Sequence, residues 1–206
     1  MYLQALRVAM SLMLFRSGPQ DMPFSTTLPR VALALAVFST ALLLGPMAPL
    51  PMALATGLGG ALGVAFFTRQ LLRGRKLDNR YPQTVSAQLL VGSLFALAMV
   101  PALLAMAPAM QETMDLMRAA MQGAGPEEDP LALAVQAARE AKLQPPAWAT
   151  LWSDLIFVWS LIASTRINRL AADLGRPSSW LLTLLSLFVL TGFVMMAQLV
   201  ASIFLT

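Results

Sequence analysis

One carboxylate, Asp154, stands inside an otherwise uncharged apolar run of this 206-residue chain, and no other ionisable group is so placed. A carboxylate at membrane depth is costly, so it marks a proton or cation site, a structural hydrogen bond, or an acid that reaches the interface. It lies seven residues from one end of its run, and Gln198 lies eight residues from the chain end, so the two are expected at similar depth and could pair if their helices pack. One acid without a second acid or a basic partner makes a thin relay, which favours the structural reading. A second candidate is a thioether stripe: Met106, Met110, Met114, Met117 and Met121 recur at helical spacing. Thioethers bind soft ions such as Cu(I). They also make a flexible apolar face that rests on lipid or on other helices, the preferred reading in a chain without histidine or cysteine.

Cysteine and histidine are both absent. That excludes disulfides, thiol catalysis, Cys/His zinc sites and the usual general base near neutral pH. There is no glycine-rich phosphate loop, no nucleophile elbow and no pair of carboxylates at catalytic spacing. No cofactor and no enzymatic activity are expected.

Composition then says where such residues must sit. The chain is 58% hydrophobic and 12% charged, whereas a soluble domain carries about a quarter charged residues. An all-α, polytopic membrane helix bundle, folded as one integral domain over 1–206, is the class these numbers require. Residues 31–68 hold 38 positions without a charge; as one helix they would reach roughly 57 Å, against about 30 Å of hydrocarbon. Pro46, Pro49 and Pro51 supply the break. Five spans follow, at 31–50, 52–72, 85–107, 147–167 and 180–204, with Pro101 expected to kink the third. Residues 1–16 read as an interfacial amphipathic helix, with Leu3, Leu6, Met10, Met13 and Leu14 on its apolar face. Residues 108–146 read as an acidic extramembrane loop of two short helices, the second starting after Asp129-Pro130.

Small residues recur along the second span. Ala53, Gly57, Ala61 and Ala65 fall at every fourth position, and Gly59 and Gly63 form a Gly-x-x-x-Gly pair. Such ridges let helix backbones approach closely in lipid, either across a homodimer seam or, the preferred reading, against other spans of the same chain. Gln88 and Ser93 read as hydrogen-bonding glue.

Charge assigns the sides. Arg69, Arg73, Arg75, Lys76 and Arg80 crowd into one loop between the second and third spans. With the N-terminus inside, 11 of the 14 basic residues fall on the cytoplasmic side, while the acidic loop lies outside with six of the ten acids. The positive-inside bias therefore expects an N-terminus in, C-terminus out protein of a bacterial inner membrane. The five basic residues are expected to contact anionic headgroups or a protein partner rather than nucleic acid, since no soluble domain carries them.

The five closely spaced spans and the amphipathic N-terminal segment resemble the bacterial branch of the Yip1-type integral membrane proteins, over most of the chain. The stretch Arg16-Ser-Gly-Pro-Gln-Asp21-Met-Pro-Phe-Ser25 is similar to an opening found in uncharacterised proteobacterial inner-membrane proteins. The Asp-Leu-Tyr-Gly-Pro type signature of the eukaryotic branch is missing, with Gly45-Pro46 its nearest counterpart. The resemblance implies a membrane-organising or partner-binding role and supplies no catalytic residues. The expected function is a scaffold, assembly or accessory subunit with a membrane-protein partner or as a homo-oligomer; the alternative is a small proton- or cation-coupled transporter or channel component using Asp154.

Overall fold

The computed structural model describes residues 1–123, 129, 132–133, 135–136 and 145–205, and their regular elements are all helical. In chain order these are α1 (Tyr2–Met13), a 3-10 turn at Pro19–Asp21, α2 (Leu28–Leu44), α3 (Leu50–Gly74), a second 3-10 turn at Asp78–Arg80, α4 (Tyr81–Gly123), α5 (Ala147–Ala171) and α6 (Arg176–Leu205). Proline is the second residue of four helices, with Pro82 in α4 and Pro177 in α6. Pro29 lies in the first turn of α2 and Pro51 in that of α3, where a missing N–H removes no helical bond.

Four helical stretches are long and apolar enough to cross a membrane: Leu50–Gly74, Asp78–Gly123, Ala147–Ala171 and Arg176–Ile203. α2 is apolar but has only 17 residues, or about 26 Å of axis. The fold is thus all-helical and compatible with a membrane helix bundle.

The helix that carries the expected third span, 85–107, runs on past residue 107. α4 continues unbroken for 43 residues, with Pro101 and Pro108 inside it. Each proline removes one backbone bond, but leucine, alanine and methionine dominate around them and favour the helical state. The first of the two expected loop helices is therefore a continuation of α4. The second falls largely outside the described residues.

The described chain forms two compact units, Met1–Ala98 with Ile156–Thr206, and Met99–Leu155. The first buries small polar side chains beside apolar ones and exposes large apolar ones. Its fully buried side chains include Thr68, Thr84, Ser86, Asn168 and Thr183, while α6 exposes Leu181 at 69% and Phe188 at 78%. Water would penalise that exposed leucine and phenylalanine surface; hydrocarbon does not. α1 follows the same rule: Ala5, Ala9 and Leu12 are buried, whereas Leu3, Leu6 and Met10 face outward.

Within this unit α3 packs on both α2 and α6, and its glycines divide between them. A β-carbon on Gly57 would lie 2.7 Å from the Val37 carbonyl oxygen of α2. One on Gly59 would lie 2.7 Å from the Phe193 oxygen and 3.0 Å from the Val194 Cα of α6, and one on Gly63 3.2 Å from the Leu190 Cα. Ala53 and Ala61 are buried on the same helix. The small residues of α3 thus bring its backbone against two helices of its own chain. Backbone cannot yield as a flexible side chain does, so Gly59→Ala and Gly57→Ala should each destabilise the protein by about 1–3 kcal/mol. Gly60, whose nearest obstacle is a Val194 methyl at 3.9 Å, should accept alanine almost without cost. Unfolding of the three variants in detergent checks the contrast; equal midpoints would remove the packing argument.

Candidate functional site

Polar side chains from four helices meet in one layer of the first unit. The Thr68 hydroxyl of α3 contacts the Gln88 Oε1 of α4, with the Val64 carbonyl as a second acceptor at 2.7 Å. Gln88 Nε2 donates to the Asn168 Oδ1 of α5 at 2.6 Å. Asn168 Nδ2 donates to the Thr183 Oγ1 of α6 at 3.1 Å, and Thr183 donates to the Ser179 carbonyl at 2.9 Å. From Gln88 onward each side chain donates to the next, so the hydrogen bonds run one way, from α4 to α6. An amide buried without partners costs roughly 2 kcal/mol or more; here each amide reaches the next helix. Gln88 was expected as glue. Asn168 lies one residue beyond the expected fourth span, 147–167, on a helix that continues to Ala171.

A cavity of about 260 Å³ adjoins this layer, bordered by Gln88, Ser160, Ser164, Asn168 and Ser186 among apolar neighbours. None of these side chains titrates near neutral pH.

Gln198, expected at the depth of Asp154, donates its Nε2 to the Thr56 Oγ1 of α3 at 2.9 Å. It therefore ties α6 to α3, as the 68–88–168–183 layer does nearer the other end of α3. Asp154 lies on an exposed surface of α5, and no described residue forms a hydrogen bond or ion pair with it. In the second unit the Met stripe lies on the α4 continuation, with Met110, Met114 and Met121 exposed. Its exposed Arg118–Asp115 pair, at 3.1 Å, adds little stability.

The basic residues do not act alike. Arg75 Nε donates to the Ala172 carbonyl at 3.2 Å and its terminal nitrogen to the Asp173 carbonyl at 3.3 Å. Arg80 donates to the Ala171 carbonyl at 3.1 Å and to the Asp173 carboxylate at 2.9 Å. The last carbonyls of a helix have no partner within it and carry partial negative charge. Arg75 and Arg80 satisfy those of α5. Arg69, Arg73 and Lys76 form no such bond among the described residues and remain available to solvent or headgroups.

The N-terminal segment joins the same end. Gln83 Nε2, at the start of α4, donates to the carbonyls of Gln20 and Met22 at 3.1 and 2.7 Å. Trp159 of α5 donates its indole N–H to the Met13 carbonyl at the end of α1, at 2.8 Å. Helices α1, α3 and α5 also end alike, each with a non-glycine residue in the left-handed region: Phe15 (φ 59°), Lys76 (φ 58°) and Asp173 (φ 51°). In each case the next residue's N–H reaches back to the carbonyl five positions earlier, from Arg16 to Ser11, Leu77 to Leu72 and Leu174 to Arg169. These are Schellman turns. Buried Leu72, Ala171 and Ala172, with Leu77 and Leu174 against them, hold two of the three together.

No protein-family model matches this sequence, and no curated protein or solved structure matches the chain significantly.

Because Gln88 and Asn168 satisfy each other, removing either strands the remaining amide. Asn168→Ala and Gln88→Ala should each cost about 1–2 kcal/mol. The double variant should cost clearly less than their sum, since the stranded partner is gone. A double-mutant cycle by reversible unfolding in detergent measures this; strict additivity would mean that the amides are not coupled.

Proposed function

We propose that this chain is a non-enzymatic, multi-pass protein of a bacterial inner membrane that serves as a scaffold, assembly or accessory subunit. The observation carrying this reading is the Thr68–Gln88–Asn168–Thr183 chain. These four side chains are neutral, and they hydrogen-bond in sequence across four helices. A solute or proton path calls for polar or ionisable groups left facing an aqueous route; a structural subunit calls for polar groups that fix helix positions. The kinship with the bacterial Yip1-type proteins remains part of this proposal.

Five spans, with α2 as a short first crossing, give the topology: N-terminus inside, C-terminus outside. Supporting the sidedness, the segments around Met13–Met22, Arg75–Arg80 and Ala171–Asp173 are bonded together at one end of the first unit. These are the segments that the positive-inside bias assigns to the cytoplasm. The chain contains no cysteine, so single substitutions report cleanly. In intact spheroplasts Met121→Cys should react with a membrane-impermeant maleimide, and Arg73→Cys only after permeabilisation. The reverse pattern would invert the protein.

The partner should emerge by crosslinking in the native membrane, followed by mass spectrometry of what co-purifies in mild detergent. A stoichiometric membrane protein bound near residues 69–80 or 108–146 is the expected result. The competing reading, a small proton- or cation-coupled transporter component, draws on the unpartnered Asp154 carboxylate. Under the subunit reading Asp154→Asn leaves protein level and partner recovery unchanged. Loss of function with intact protein level and intact complex would move the assignment to transport.

A further inference from the structure

A cleft of about 300 Å³ opens between the end of α5, the start of α6 and the turn after α1. It is lined by Arg166, Arg169 and Arg176, with Phe15, Ile162 and Trp180 as its apolar walls. Among the described residues none of the three arginines forms an ion pair. The nearby acid, Asp173, is bonded to Arg80. Arg166 stacks over Phe15, its guanidinium carbon 5.7 Å from the ring centroid, yet its Nε is buried and has no hydrogen-bond partner. A buried guanidinium donor without an acceptor is costly, which asks what acceptor belongs there.

A further feature points to an anion. Arg176 opens α6, so the unpaired amides and positive dipole end of a 30-residue helix face the same region. Phe15 is a bulky residue at φ 59°, a strained conformation for its type. Its Schellman turn places it there, and its ring meets Arg166 and lies against Trp159, whose ring centroid is 6.4 Å away.

We propose that this cleft is a discrete binding site for the phosphodiester headgroup of an anionic phospholipid. Arg169 and Arg176 clamp the phosphate oxygens, Arg166 supplies its stranded donor, and Ile162 and Trp180 flank the first carbons of the lipid. Guanidinium suits this work because its planar fork matches phosphate oxygens two at a time. The apolar walls favour lipid over free phosphate, and an indole at headgroup level fits the aromatic belt. The site is separate from Arg69, Arg73, Arg75, Lys76 and Arg80. It rests on the proposed membrane placement, which cysteine labelling tests independently.

The test uses the purified full chain in nanodiscs of phosphatidylcholine with one-fifth phosphatidylglycerol, followed by native mass spectrometry after transfer to detergent. One retained phosphatidylglycerol per chain is expected. Arg169→Gln with Arg176→Gln should lower that retention by about tenfold or more, with an unchanged unfolding midpoint because neither side chain holds a bond within the protein. The charge-matched pair Arg7→Gln with Arg30→Gln, both exposed and outside the cleft, should retain the lipid. Arg169→Lys with Arg176→Lys should recover only part of it. Equal loss in both glutamine pairs would reduce the effect to diffuse charge and overturn the site. Displacement of the lipid by millimolar inorganic phosphate, or binding of phosphate alone, would make it a free-anion site and overturn the lipid assignment. A chain that labels with the expected sidedness but retains no phosphatidylglycerol would refute the inference while leaving the topology standing.

Discussion

The structure depends on one constraint: a polar group placed between apolar helices must find its partner within the protein, and an amide too long to bond back to its own turn finds it on another helix. In hydrocarbon there is no water to accept a stray amide. The chain from Thr68 through Gln88 and Asn168 to Thr183 meets this demand across α3, α4, α5 and α6 at a single level. Hydrophobic burial cannot by itself choose a register here, since lipid is as apolar as leucine. Directional bonds can. Gln198 with Thr56 sets a second fixed point toward the other end of α3, and two points define how α6 lies along it.

Close approach supplies the attraction that these bonds orient. Gly57 meets the backbone of α2 while Gly59 and Gly63 meet that of α6, so α3 serves two interfaces with two sets of small residues. Dispersion between backbones in contact replaces the solvent-driven association of soluble helices. Large side chains are displaced outward as a consequence, and leucine, phenylalanine and methionine cover α6.

The basic end completes the assembly by a different physics. Three helices stop there in left-handed residues, and their unsatisfied carbonyls attract cationic or N–H donors: Arg75 and Arg80 for α5, the Trp159 indole for α1. The exposed Arg80–Asp173 pair, 36% and 61% accessible, adds little by its charge alone. Its value is geometric, because the same guanidinium also bonds the Ala171 carbonyl. Charges that orient a chain across a membrane can therefore also tie its loops together. The arginines left over, around Phe15 and Trp180, are those with donors to spare.

Composition and periodicity were sufficient for the helical class, because a chain with 58% hydrophobic and 12% charged residues has few ways to satisfy its backbone outside helices. Prolines at 49 and 51 marked the start of α3, and the glycine spacing marked a packing helix. Local signals fell short at α4, where Pro108 promised a break in the helix that helix-favouring neighbours overrode, and at the end of α5, where Arg166 and Arg169 suggested a loop although the helix continues to Ala171. Asn168 was hidden for that reason. Which glycine faces which helix, which glutamine meets which threonine, and which arginines are engaged at a helix end depend on helix rotation and contact between distant segments, 142 positions apart for Gln198 and Thr56. A single sequence states the periodicity of one helix, not its phase relative to another. Only tertiary packing sets that phase, because it is decided by directional bonds and close backbone contacts between different helices.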